Sequence, residues 1–211
     1  MEIQYYGGNC IKISTKKASI VIDDNLKDLG GSQVSKPTDI VLQTTRLTDK
    51  KPAAQLLIDG PGEYEASNAS IVGVAARAHM DEEGKKSAAI YKIVADDVRV
   101  AVVGHIYPEL TEEQLETIGV VDILVVPVGG HGFTLDSVGA LKVIKMVEPK
   151  IIIPTNYSDS KLTYPVPAVS LEEALKGLSM EPKETLSKLK VKGTELLTDQ
   201  AQLVVLERQQ N

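Results

Sequence analysis

Alternation of apolar and polar residues dominates the first half of the chain. Short runs with a period of two are bounded by turn residues such as Gly7-Gly8 and Lys16-Lys17, which predicts β-strands joined by hairpins. The strands are predicted at Glu2–Tyr6, Cys10–Ser14, Ser19–Ile22, Asp39–Gln43, Ala69–Ala75, Ala88–Val94 and Val98–Val103. Asp96-Asp97 is a tight-turn dipeptide between the last two.

In the second half, helical patterns alternate with short apolar strands. Thr111 and Gln114 have the spacing of a capping box, in which each side chain satisfies a free backbone N–H group of the other residue. Helices are predicted to begin after Thr111, after Thr134 or Asp136, and after Ser170, with strands at Asp122–Pro127, Lys150–Pro154 and Gln202–Glu207. This order predicts parallel pairing and an α/β fold of two facing sheets, with helices on both flanks.

Composition narrows the class of protein. A chain of 211 residues with 43% hydrophobic residues is predicted to form a single domain, residues 1–211. A net charge of -6 argues against a generic nucleic-acid-binding protein. The single cysteine, Cys10, suits a reducing compartment, and neither an export signal nor an apolar run of about 18 residues is present. We therefore expect a cytoplasmic protein that has no contact with a membrane.

Seven segments, in this order and spacing, carry a family resemblance. They are Tyr6–Cys10, Ile20–Asp23, Asp39–Lys50, Asp59–Tyr64, Gly104–Thr111, Pro127–Gly130 with Thr134 and Asp136, and Ile153–Tyr157. With them the chain resembles the metallo-β-lactamase superfamily, in its Zn-dependent hydrolase branch similar to the ascorbate-phosphate lactonases. The resemblance implies an αββα four-layer sandwich, an active site along one edge of both sheets, and hydrolysis by a metal-bound hydroxide.

The metal-binding motif of that family is altered in this chain. Where the family has Thr-His-x-His-x-Asp-His, the chain has Thr44-Thr-Arg-Leu-Thr-Asp-Lys50, which retains Asp49 and replaces three histidines by Thr45, Leu47 and Lys50. Leu47 offers no donor atom, and the Lys50 ammonium repels cations. The resemblance also matches Gly8 and Asn156 with two further histidines, and His105 with a bridging aspartate. We therefore predict a non-catalytic binding or regulatory module without a cofactor, whose dinuclear site is lost.

An alternative is a divergent hydrolase with one divalent metal such as zinc. Its candidate metal-binding and catalytic residues are Asp49, His105 and His79, with His131 as a further donor, because imidazole and carboxylate groups both bind zinc. Such an enzyme would act on a phosphorylated small molecule, a lactone or a phosphodiester. Asp49 has a second interpretation, as the cap of a helix that starts near Pro52.

The candidate ligand-binding residues are Arg46, Lys50, Glu63, Tyr64, His131 and Asn156. Arg46 and Lys50-Lys51 keep positive charge in a cleft without metals, which indicates a small anionic ligand. Glu63 and Tyr64 either face a ligand or belong to a turn with Pro61-Gly62. Asp23 either supports the site, as the resemblance implies, or bonds turn amides. Lactonase-like relatives are often oligomers, so a homo-oligomer is an open expectation.

Overall fold

A computed structural model describes residues 1–46, 51–193, 196 and 200–210. Within these residues the chain forms fourteen β-strands and three α-helices. The strands are β1 Glu2–Gly7, β2 Cys10–Ser14, β3 Ser19–Ile22, β4 Ile40–Leu42, β5 Leu56–Ile58, β6 Gly62–Ala66, β7 Ala69–Ala76, β8 Ala88–Ala95, β9 Val98–Val102, β10 Ile123–Pro127, β11 Ile151–Thr155, β12 Pro182–Leu186, β13 Leu189–Lys190 and β14 Gln202–Leu206. The helices are α1 Glu112–Ile118, α2 Ser137–Val147 and α3 Leu171–Leu178.

Two sheets carry these strands. The first has the order β13-β1-β2-β3-β4-β5 and the second the order β12-β14-β11-β10-β9-β8-β7-β6. Parallel pairing joins β3, β4 and β5 in the first sheet, and β9, β10, β11, β14 and β12 in the second. Strands β10 and β11 are buried along their whole length, as expected of parallel strands covered on both faces. This architecture confirms the predicted α/β class.

The main core lies between the sheets and consists largely of Ile, Val and Leu side chains from both. A second cluster fills the space between the outer face of the second sheet and the helices, with Ile118, Val143 and Leu178 on the helix side. In the described part of the chain, all three helices pack there. The outer face of the first sheet is instead covered by loop residues, among them Leu26 and Leu162 packed with Val21. Among the described residues, loops rather than a helical layer cover that flank.

Several local predictions are confirmed. The capping box of Thr111 and Gln114 is present at α1, and Ser170 caps α3. Asp136, rather than Thr134, caps α2, because its carboxylate accepts the Gly139 N–H at 2.7 Å.

Other local predictions are wrong. No helix starts near Pro52, since residues 51–54 are irregular and lead into β5. Glu63 and Tyr64 lie in strand β6, paired with Val72 and Ile71, rather than in a turn. The sequence pattern does not predict strands β5, β6, β12 and β13. Among the residues described, no helix is long and apolar enough to cross a membrane.

Candidate functional site

The carboxyl ends of strands from both sheets meet at one edge of the sandwich. Two backbone hydrogen bonds join the sheets there: the Asn156 N–H donates to the Gly8 carbonyl at 2.7 Å, and the Ala89 N–H donates to the Thr44 carbonyl at 2.7 Å. Asn156 follows β11, Gly8 lies in the β1–β2 turn and Thr44 follows β4. This edge is where open α/β sheets hold ligands, so it is the candidate functional cleft.

A buried hydrogen-bond network ties the strand ends together. Asp23, directly after β3, accepts the Thr44 N–H and hydroxyl at 2.7 and 2.6 Å, and the Asn9 side-chain amide at 2.7 Å. The Thr155 hydroxyl in turn donates to the carbonyl oxygen of the Asn9 amide. Asp23 therefore bonds the side chains of Asn9 and Thr44 and also one backbone amide, that of Thr44.

The environment of Asp23 raises the pKa of its carboxyl group to about 6. Burial is the main cause, and the hydrogen bonds from Thr44 and Asn9 lower the pKa by a smaller amount. Gly104, after β9, completes the packing around Thr44. It has a φ of +57°, and a Cβ atom at this position would lie 2.0 Å from the Thr44 hydroxyl oxygen. Glycine is therefore required here for both conformation and space.

His105 is buried beside this network, with 5% of its surface exposed. Burial, and to a smaller extent the nearby His79, lowers the pKa of its imidazole to about 4. The ring of His105 is therefore neutral at pH 7. Its centroid lies 4.9 Å from that of Phe133, in the loop after β10.

His79 lies on a short ladder with His105. The His79 N–H donates to the His105 carbonyl at 2.8 Å, and the Tyr107 N–H donates to the Arg77 carbonyl at 2.8 Å. These bonds flank an antiparallel bridge between Ala78 and Ile106. The sequence predicted a role for both histidines, and the structure brings them together.

Five buried side-chain atoms in the described part of the chain have no hydrogen-bond partner there: Asp24 Oδ1, Asn25 Oδ1, Thr45 Oγ1, His105 Nδ1 and Thr134 Oγ1. Each belongs to a loop that follows the carboxyl end of β3, β4, β9 or β10. Because buried polar atoms are nearly always satisfied in folded proteins, their concentration at this edge indicates where a polar ligand or ordered water binds.

The remaining predicted residues are scattered. Arg46 and His131 are exposed in loops after β4 and β10, and His131 has a left-handed backbone. Asn156 is buried, also with a left-handed backbone. Glu63 and Tyr64 lie on β6, an edge strand. Asp49 and Lys50, with Leu47, lie outside the described residues.

The donors that the structure describes at this edge do not form a metal centre among themselves. Within residues 1–46, 51–193, 196 and 200–210, no group of three or more His, Cys, Asp or Glu side chains could hold a metal ion. His79, His105 and His131 therefore do not form a three-donor site. Gly8, Thr45 and Asn156, at positions that the resemblance assigned to histidines, contribute no imidazole.

Arg77, Tyr107 and Phe133 lie close to the two histidines or to each other, but they are not among the residues predicted from the sequence. Arg77 and His79 are two residues apart directly after a predicted strand, so period-two alternation predicts that they share a face. Phe133 is the only Phe of a chain that has no Trp. These two signals were available in the sequence.

Comparison with known proteins agrees with this architecture. Residues 2–156 match the family model described as the β-lactamase superfamily domain. A UPF0173 protein of Pyrococcus abyssi is 29% identical over 180 residues, which cover 74% of this chain and 83% of the relative. A UPF0173 metal-dependent hydrolase of Carboxydothermus hydrogenoformans is 46% identical over 59 residues, which cover 28% of this chain and 24% of the relative.

A solved structure from Thermotoga maritima, described as a Zn-dependent hydrolase of the metallo-β-lactamase superfamily, superimposes with a TM-score of 0.75 at 23% identity. The match covers 98% of this chain and 99% of that one. Igni18, a metallo hydrolase of Ignicoccus hospitalis, gives a TM-score of 0.61 at 17% identity, covering 98% and 94%. These two likenesses show a shared fold. The family match extends over more than half of the residues, and the chain therefore belongs to the metallo-β-lactamase superfamily.

Proposed function

We propose that this protein binds a small anionic ligand at the carboxyl edge of its sheets and does so without the dinuclear metal centre of its superfamily. The observation that carries the proposal is the set of five buried polar atoms at this edge that have no partner among the described residues. The Thr45 and Thr134 hydroxyls and the His105 imidazole can donate hydrogen bonds to an anion, whereas Asp24 Oδ1 and Asn25 Oδ1 only accept and require a donor from the ligand or from water. Leaving such an atom unpaired costs about 1–3 kcal/mol.

The cleft is organised by the protein itself. The hydrogen bonds of Asp23 with Asn9 and Thr44 connect the ends of β1, β3 and β4. A preformed cleft of this kind binds a ligand without first having to be ordered.

Positive charge supports an anionic ligand. Arg46, shortly after β4, is exposed, and so is Lys51, which shares a cavity with residues that follow β3. Lys51 also lines a cavity of about 240 Å³, in which Lys27 is a second cation and Asp24 and Asp28 are two carboxylates. Cationic side chains beside a strand-end cleft attract carboxylates and phosphates.

Isothermal titration calorimetry with inorganic phosphate tests this function. We expect binding that is unchanged by EDTA and weakened severalfold in the Arg46→Gln, Lys51→Gln double variant. Lys16→Gln, Lys17→Gln is the matched control, since this exposed pair lies in the turn between β2 and β3, at the opposite end of the strands. Binding that EDTA abolishes and zinc restores would refute the proposal.

A second candidate is a hydrolase with one metal, favoured by the pairing of His79 with His105. A neutral imidazole such as His105 is the form that binds metal, and Asp49 would be the third ligand. Zinc titration separates the two functions. The hydrolase hypothesis requires one zinc per chain and loss of that zinc in both His79→Ala and His105→Ala, whereas the binding module gives no stoichiometric uptake in any of the three proteins.

A further inference from the structure

The ladder formed by residues 77–79 and 105–107 presents four cationic or aromatic side chains on one face. In an antiparallel pair centred on Ala78 and Ile106, residue 77 lies opposite 107 and residue 79 lies opposite 105. Ala78 and Ile106 point to the outer side, where they pack in the cluster that contains the helices. Side chains alternate across a strand, so Arg77, Tyr107, His79 and His105 project together on the inner side, into the cleft.

Gly104 makes this ladder possible. Strands β7 and β9 are not neighbours in the sheet, because β8 lies between them and both pair with it. The left-handed backbone at Gly104, with a φ of +57°, redirects the chain after β9. Residues 105–107 then run antiparallel to residues 77–79. The four side chains are thus held on hydrogen-bonded backbone.

Arg77 is a fixed cation in this group. Its guanidinium lies 3.9 Å from the centroid of the Tyr107 ring, and its Nε and Nη2 atoms donate to the Asp81 carbonyl at 3.1 and 2.9 Å. Two of its five N–H donors are used in this way, which leaves three for a ligand. The Asp81 carboxylate accepts hydrogen bonds from Ser87 and Ala78 and lies 3.4 Å from the Lys85 ammonium, so it does not neutralise Arg77.

Beyond Arg77, the ladder and the loop next to it carry two pairs of neighbouring aromatic rings. The centroids of Tyr107 and His79 are 6.0 Å apart, and those of His105 and Phe133 are 4.9 Å apart. Tyr107 and Phe133 are only half-buried. In a chain with 4% aromatic residues, the single Phe therefore lies at the cleft and not in the core. Half-exposed aromatic side chains gathered at a cleft are typical of ligand contact.

We propose that the ligand of this cleft combines an acidic group with a planar apolar ring, as an aryl phosphate does. Arg77 binds the acidic group, and the ring packs against the aromatic row formed by Tyr107, His79, His105 and Phe133. This inference rests on the proposed function and names the class of ligand for that same site. It assigns binding roles to Arg77, Tyr107 and Phe133.

Calorimetric titrations with phenyl phosphate and methyl phosphate test this inference, because the two monoesters carry the same acidic group and differ in the ring. We expect phenyl phosphate to bind at least about fivefold more tightly, the usual gain from one aromatic contact. Phe133→Leu should remove most of that preference, whereas Tyr6→Leu, which truncates a half-buried aromatic side chain on the outer side of the first sheet, should keep it.

The charge contact has its own matched pair of variants. Arg77→Gln should weaken the binding of both monoesters about tenfold, since a charge-assisted contact to the phosphate is lost. Lys85→Gln removes the same charge from the neighbouring loop and should change binding less than twofold. Unfolding curves of each variant establish that it is folded.

Equal affinity for the two esters, or binding unaffected by Arg77→Gln and Phe133→Leu, would overturn this inference. If methyl phosphate and inorganic phosphate still bind and depend on Arg46 and Lys51, the proposed anion-binding function survives without it. If none of the three phosphates binds, both proposals fail.

Discussion

The Thr44 hydroxyl donates a 2.6 Å hydrogen bond to the Asp23 carboxylate, and the Thr44 backbone N–H donates to the other oxygen of the same group at 2.7 Å. This pair joins the end of β3 to the end of β4. With Asn9 on the same carboxylate, it forms the buried centre of the cleft.

Replacement of Thr44 by Val should destabilise the protein. Valine has nearly the same shape but no hydroxyl group, so the buried Asp23 carboxylate loses its 2.6 Å donor. We expect the free energy of unfolding at pH 7.5 to fall by about 1–3 kcal/mol, measured by urea denaturation. Thr163→Val, at an exposed position, is the control and should change stability by less than about 0.5 kcal/mol. An unchanged midpoint in Thr44→Val would show that the network contributes nothing.

Gly104→Ala should lower the free energy of unfolding by more than the strain of a left-handed alanine alone. The new methyl group would meet the Thr44 side chain, whereas at Gly84, where φ is +87°, no atom lies within 4 Å of the corresponding position. We expect Gly104→Ala to cost at least about 2 kcal/mol, and Gly84→Ala to cost only the strain of a left-handed alanine, about 1 kcal/mol.

A double-mutant cycle locates the cause of that loss. Removing the Thr44 side chain in the Gly104→Ala background, as Thr44→Ala, should cost less than removing it from the wild-type protein, because the clash is relieved. Strictly additive losses would contradict the contact between residues 104 and 44.

His105 should make stability depend on pH. Its pKa is about 4 in the folded protein and about 6.5 when unfolded, so the unfolded chain binds more protons between these values and acidification favours unfolding. Between pH 7.5 and pH 4, wild-type protein should lose about 3 kcal/mol relative to the His105→Gln variant. Parallel pH profiles for the two proteins would mean that His105 is not buried in its neutral form.

Asp122, which lies outside the cleft, should also make the stability of the protein depend on pH, in a more acidic range than His105 does. Burial raises the pKa of its carboxyl group, but hydrogen bonds from Arg99 and Lys150 lower it by more, to about 2. The stabilisation is complete above the unfolded pKa near 3.8 and is lost as pH falls from there through 2. Asp122→Asn should therefore be less stable than wild type at pH 7. The difference in stability between the two proteins should become smaller below pH 3. Acid titrations followed by circular dichroism measure this.

Sequence patterning predicted the elements whose signal is local. The capping box of Thr111 and Gln114 and the buried strands β10 and β11 are examples, since hydrogen-bonding side chains and apolar runs are visible in a few residues. The sequence pattern does not predict strand β12, because Pro182, Lys183 and Glu184 are exposed on a sheet edge and show no alternation of apolar and polar residues. Strand β5 has only three residues. Pairing with neighbours, rather than their own pattern, makes both of them strands.

The sequence predicts the candidate site only in part, because some of its contacts join residues that are far apart in the chain. His79 and His105 follow strand ends, which identified them as candidates, but their opposition depends on the chain reversal at Gly104. The partners of Asp23 come from residues 14 and 21 positions away, a distance over which periodicity carries no information. Roles for Arg46, Glu63, Tyr64, His131 and Asn156 stay predictions, as do those of Asp49 and Lys50.

The absence of a metal centre can be checked on protein purified without chelators, by measuring its metal content with mass spectrometry. We expect well under one equivalent of zinc, manganese and iron per chain, and the same low content in His105→Ala. One or two equivalents per chain, lost in His105→Ala, would contradict it, because such a result requires a metal centre at this edge.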